Sequence, residues 1–226
     1  MIPKVVLPMA LGTMGLLVAG FLVAGLGEGE RADYLPISRH SPSWVCRDRE
    51  GRLHVGEMKE WVWNRSTDVL RGAGEPPLYR PAGGASAAPQ IWRLTWLRSF
   101  DPPVIVRVSE DLNGYLRLDA LRRGGRGLYR ASYTSSDERV SRRLTQEEAE
   151  HFKRIMTQTR VFDGSPTECD SNWTDGARWV LETRGPSGHR FVHEFMPQKG
   201  APIRAASDTL LNLTGWDFKG QYERNW

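Results

Sequence analysis

The sequence predicts an α+β protein: an antiparallel β-meander packed by two amphipathic helices, behind an N-terminal hydrophobic helix. Three observations carry this expectation. Residues 5–26 form an apolar run without a single charge. Short alternating apolar runs separated by turn residues fill positions 91–133. Helical periodicity then appears twice, after 145 and after 202, so strands and helices come in runs and not in βαβ alternation.

The N-terminal run has 22 residues and follows Lys4 and the free amino group, with Glu28, Glu30, Arg31 and Asp33 behind it. A helix of that length spans about 30 Å, the thickness of a bilayer's hydrocarbon core. Positive charge stays on the cytoplasmic side, so the chain after residue 27 is expected to be translocated. Pro8 and the glycines at 12, 15, 20 and 25 weaken the run as a permanent anchor, and residues 1–27 read as a signal anchor or a cleaved signal peptide. The expected location is the bacterial inner membrane with the domain in the periplasm, or the periplasm or exterior after cleavage. In such an oxidising compartment the two cysteines, Cys46 and Cys169, are expected to pair.

Residues 28–71 read as a tether and a short β unit, with Glu50-Gly51 as a turn and residues 60–63 as a further strand. Residues 72–90 are rich in Gly, Ala and Pro and lack any period, as a flexible linker or long loop does. The α+β domain then occupies 91–216, with 217–226 as a C-terminal tail. Its strands are expected at 91–100, 104–108, after the hairpin signal Asn113-Gly114, and at 128–133. Thr145-Gln146-Glu147-Glu148 is a capping box opening a helix whose apolar face is Ala149, Phe152, Ile155 and Met156. Residues 177–183 and 190–196 are expected to form a hairpin around Gly185-Pro186-Ser187-Gly188. A last helix begins at Pro202 and stops at Gly215.

Chemistry is sparser. The 31 basic residues barely exceed the 27 acidic ones, so no nucleic-acid partner is expected. There is no HExxH, phosphate-binding loop, GxGxxG or GxSxG pattern, and no cofactor is expected. His189 and His193 flank Phe191 in a strand-like segment, where residues four apart lie roughly 13 Å from each other, too far to share one metal ion. Residues 117–143 carry eight arginines against three acids, among them Arg117, Arg122, Arg123, Arg126 and Arg130, an anion-facing patch or simply a solvated face. Trp61, Trp63, Trp92 and Trp96 are either core residues or platforms for sugar rings.

The stretches LTWLRSFDPPVIVRV, LTQEEAEHF, DGARWVLE and LLNLTGW, with the histidine-containing hairpin between the last two, resemble a family of uncharacterised exported or membrane-anchored bacterial proteins over residues 93–216. The resemblance implies location and fold and no activity. Asp175-Gly176 and Trp179 match it, whereas His189-Arg190-Phe191-Val192 replaces the family's Tyr-His-Val-Val. Two functional readings follow. One is a non-enzymatic cell-envelope protein that binds a protein or an envelope polymer, tethered through residues 5–26. The other is an envelope hydrolase with a site assembled from Asp175, His189 and His193.

Overall fold

In the computed structural model the residues described are 34–35, 45–47, 52–55, 60–79, 90–124, 137–163, 167–168 and 175–218. The apolar N-terminal run lies outside them, and among the described residues no helix is long and apolar enough to cross a membrane.

Two antiparallel strands, β1 (Val45–Arg47) and β2 (Leu53–Val55), form the expected short unit. The next element corrects the sequence reading: residues 60–63 begin a helix, α1 (Glu60–Gly72), and not a strand. Ser66, Val69 and Leu70 are buried at helical spacing, with Ala73 packed beside them. Residues 73–79 then cross the sheet as a loop with Leu78 buried.

The main sheet begins with β3 (Ile91–Arg98), β4 (Val104–Glu110) and β5 (Leu116–Arg122), joined as a meander. Gly114, at φ +80°, makes the β4–β5 turn. The fourth strand is β6 (Glu138–Arg143), paired to β5 from Arg117↔Arg143 to Arg122↔Glu138. The segment 128–133, where the sequence suggested a strand, lies outside the described residues.

After β6 comes α2 (Gln146–Thr159), with both hydrogen bonds of the capping box between Thr145 and Glu148. A two-residue strand, β7 (Thr167–Glu168), runs parallel to β1 in a small sheet of order β2-β1-β7. The hairpin β8 (Ala177–Gly185) and β9 (Gly188–Phe195) follows, and β8 covers the whole length of β3. The six-stranded antiparallel sheet therefore has the order β6-β5-β4-β3-β8-β9. Helix α3 (Pro202–Leu213) closes the domain, and Gly215 at φ +71° follows it.

Alternation gives this sheet two different faces. On one, Leu94, Trp96, Val106, Leu118, Trp179 and Leu181 pack against Phe152 and Met156 of α2 and Ile203, Ala206 and Leu210 of α3. On the other, Leu97, Ile105, Leu121, Val180 and Phe191 meet Val69 and Leu70 of α1 together with Tyr34 and Leu35. Three layers result, with the sheet in the middle and, among the described residues, three helices where two amphipathic ones were expected.

Candidate functional site

The α1 face carries a row of charge that crosses the sheet. Strand register sets Glu182 beside Arg93, Arg93 beside Arg107, Arg107 beside Asp119 and Asp119 beside Ser141. Arg93 and Glu182 have no solvent exposure, and the guanidinium grips the carboxylate with Nε to Oε2 at 2.9 Å and Nη2 to Oε1 at 3.0 Å. Arg93 Nη1 also donates to the carbonyl of Pro76 at 2.6 Å, while Glu75 lies 3.5 Å from Arg93 and 3.2 Å from Arg107. Burial alone raises the Asp119 carboxyl, but hydrogen bonds from Ser141 and Arg107 and the charges of Arg107 and Arg117 bring it below its ordinary value.

This row holds the loop 73–79 in place. Arg184 donates to the carbonyls of Leu78 and Tyr79, Arg123 to that of Gly72, and the Tyr34 hydroxyl to that of Glu75. A loop containing Pro76 and Pro77 has few amides of its own to offer, so arginines from the sheet satisfy its carbonyls instead. The row is part of the framework.

The His189 side chain is 4% exposed and sits 3.2 Å from Glu182, with the Tyr79 ring edge-on at 5.6 Å. His193, half-buried, has Nδ1 3.3 Å from Arg178. The two imidazoles are separated by Phe191 in a stacked column, with centroid spacings of 6.0 and 6.3 Å. Asp175 is exposed just before β8, nine positions from Arg184, which is the register partner of His189. That span corresponds to about 30 Å of extended chain. The three residues proposed for a hydrolase do not converge. Gly176 beside Asp175 has φ +143°, and a Cβ there would lie 2.6 Å from the Phe195 ring, so the Asp-Gly pair marks a tight strand entry.

Among the described residues, the arginines of the patch do not share one face. Arg117 lies on the α1 face, 3.3 Å from Asp119 and bonded to Ser141 at 2.6 Å. Arg122 lies on the opposite face, paired with Glu138 at 2.5 Å and resting over the rings of Trp216 and Phe218. Arg123 is taken up by Gly72 and Asp137. Arg126 and Arg130 lie outside the described residues, as do Cys169 and the side chain of Cys46.

Among the described residues an open cleft of about 660 Å³ lies on the α2 face, between the C-terminal half of α2 and the β8–β9 turn. Trp92, Met156, Phe162 and Pro186 supply its apolar surface, and Gln90, Glu110, Lys153, Arg160, Asp163, Thr183 and Arg190 its polar groups. Trp92 is half-buried, held edge-to-face on Phe152 at 5.0 Å. The charges are paired in place: Lys153 with Glu110 at 2.6 Å, Arg160 with Asp163 at 2.8 Å, and Arg190 with the same Asp163 at 3.8 Å. Gln90 donates to the Thr183 hydroxyl at 2.6 Å, and Arg190 lies 5.7 Å from the Phe162 ring. Of the four tryptophans considered as sugar platforms, Trp96 is 1% exposed within the core and Trp92 reaches the cleft. The side chains of Trp61 and Trp63 lie outside the described residues. No single motif in the sequence marks this cleft, because it draws on β3, β4, α2, the following turn and the β8–β9 hairpin. No protein-family model matches the chain, and no curated protein is significantly similar to it in sequence.

Proposed function

We propose that this is a non-enzymatic cell-envelope protein that binds a saccharide-containing envelope polymer in the cleft between α2 and the β8–β9 hairpin. The observation that carries the reading is the lining of that cleft, where Trp92 and Phe162 stand among polar side chains held in ion pairs, with Arg160 and Arg190 sharing Asp163. A sugar chain presents apolar ring faces edged by hydroxyls, and it is met by aromatic surface together with fixed hydrogen-bonding groups of little net charge. The paired carboxylates and guanidiniums retain free lone pairs and N–H groups for such hydroxyls. The apolar run at 5–26 supports delivery to the envelope, and the resemblance over 93–216 to exported bacterial proteins agrees with it.

Co-sedimentation of the purified chain with insoluble envelope polysaccharide tests this. Wild type is expected in the pellet, released by soluble fragments of the same polymer. The Trp92→Leu variant and the Lys153→Ala/Arg190→Ala double variant, both checked for folding, are expected to bind roughly tenfold more weakly or worse. Equal sedimentation of all three proteins would remove the cleft from the account.

A further inference from the structure

The cleft between α2 and the β8–β9 hairpin carries more positive charge than negative. Lys153, Arg160 and Arg190 line it against Glu110 and Asp163, three cations to two carboxylates. Lys153 meets Glu110 at 2.6 Å, which leaves Asp163 to answer both guanidiniums. Arg160 Nε donates to Asp163 Oδ2 at 2.8 Å, whereas Arg190 Nη1 stays 3.8 Å from Oδ1, beyond hydrogen-bond length. The Arg190 guanidinium lies 5.7 Å from the Phe162 ring, half in solvent, and its N–H groups meet no acceptor among the described residues. The backbone supplies a second, independent observation. Arg160 ends α2 in the left-handed region, at φ 48° and ψ 31°, where glycine is favoured and a residue with a Cβ is strained. The turn is closed by the Asp163 amide donating to the Arg160 carbonyl at 2.9 Å, a bond that glycine would make equally well. Packing does not require the arginine either, because its side chain is 76% exposed. Strain kept at the rim of a cleft, on a side chain the fold does not need, points to a ligand.

We infer that the saccharide taken by this cleft is acidic, with a carboxylate of the uronic acid type seated between Arg160 and Arg190. The inference rests on the binding reading above and narrows it to a ligand class. A carboxylate is planar, and its two oxygens match the paired N–H groups that a guanidinium presents in one plane. Its single negative charge cancels the excess of one cation in the cleft. A phosphate monoester, with about two negative charges, would add repulsion from Asp163 and Glu110 that nothing in the lining offsets. The sugar ring that bears the carboxylate keeps an apolar face for Phe162 and Trp92, which line the same cleft. Arg160 and Arg190 are thus specificity-determining residues, and Asp163 holds them in place until the ligand's carboxylate joins it.

The test uses the purified chain and insoluble envelope polysaccharide in three forms: untreated, with its carboxyl groups converted to methylamides, and freed of phosphodiesters by cold hydrofluoric acid. The untreated and phosphate-free polymers are expected to bind alike, and the methylamidated one about tenfold more weakly, the discrimination a charge-assisted hydrogen-bonded pair supplies. Arg160→Gly should abolish that preference while its denaturation midpoint stays level or rises, because glycine relieves the turn. An arginine with a merely structural role would move the midpoint and leave the preference. Arg190→Gln, which does not touch the turn, should lose the preference as well. Equal binding of the untreated and methylamidated polymers overturns the inference and leaves saccharide binding standing. Binding lost only on removal of phosphate, or a preference that survives both substitutions, also overturns it. Failure to bind any of the three polymers overturns the inference together with the reading it rests on.

Discussion

Arg142 and Glu148 illustrate how much one residue pair carries here. Glu148 accepts the Thr145 amide as the capping-box residue of α2 and also two hydrogen bonds at 2.7 Å from Arg142 of β6, so one carboxylate joins the helix start to the sheet edge. The Arg142 guanidinium is the main cause that holds Glu148 down to about 2 from an ordinary 4.5, and Glu148 in turn raises Arg142. A carboxylate depressed in the folded state stabilises fully above its unfolded value and loses that contribution as pH falls through the folded one. Wild type should therefore lose stability between about pH 4.5 and pH 2 through this group. After allowance for solvent screening of a pair about one-third exposed, the contribution is about 1 kcal/mol. Glu148→Gln should flatten that part of the curve in acid-dependent urea titrations, and an unchanged slope would remove Glu148 as its source. The buried row behaves differently. Arg93→Met leaves the Glu182 carboxylate at zero exposure with His189 alone beside it and should cost about 3–5 kcal/mol. Changing both residues to apolar ones should cost clearly less than the two single changes added together, as a double-mutant cycle in urea would measure.

At the scale of elements, the entry to β8 is the most constrained turn. Gly176→Ala adds a Cβ 2.6 Å from the Phe195 ring and 2.9 Å from Met196, at φ +143° where alanine is strained. The change should cost about 1–3 kcal/mol, readable as a lower melting temperature without loss of the folded state. The elements that the sequence announced correctly each carried a local signal: the capping box of α2, Pro202 and Gly215 around α3, and Asn113-Gly114 between β4 and β5. Those it misread lacked one. Trp61-Val62-Trp63 is too short a window to show helical period, and the pattern becomes visible only when Ser66, Val69 and Leu70 are read with it. β6 reads ERVSRR, an edge strand whose solvent-facing charges hide any apolar alternation. The insertion of β8 beside β3 is a long-range pairing that no local pattern encodes.

At the scale of the whole molecule, the fold divides its faces by task. The α1 face seals a charged row under a loop, and the α2 face leaves a cleft where helix and hairpin part. The sequence singles out His189, His193 and Asp175, whose chemistry is familiar, yet His189 lies against Glu182, His193 against Arg178, and Asp175 stands exposed before β8. Trp92, the sugar platform of the proposal, stands out in the sequence only as one of four tryptophans, because exposure and not identity separates it from Trp96. Cleft residues such as Lys153, Asp163 and Arg190 carry no mutual spacing by which a sequence pattern could find them. Export itself predicts that carbonate-washed membranes retain the chain if residues 5–26 remain, and that the periplasmic extract contains it if they are removed. The most direct measurement is in-cell photo-cross-linking from Thr157, an exposed residue of α2 that lines the cleft. A photoreactive amino acid there should give a heavy, heterogeneous adduct that collapses on digestion with an envelope glycan hydrolase, and Arg190→Glu in the same chain should abolish it. A discrete adduct that survives the hydrolase, or a glycan adduct indifferent to Arg190→Glu, would contradict the account.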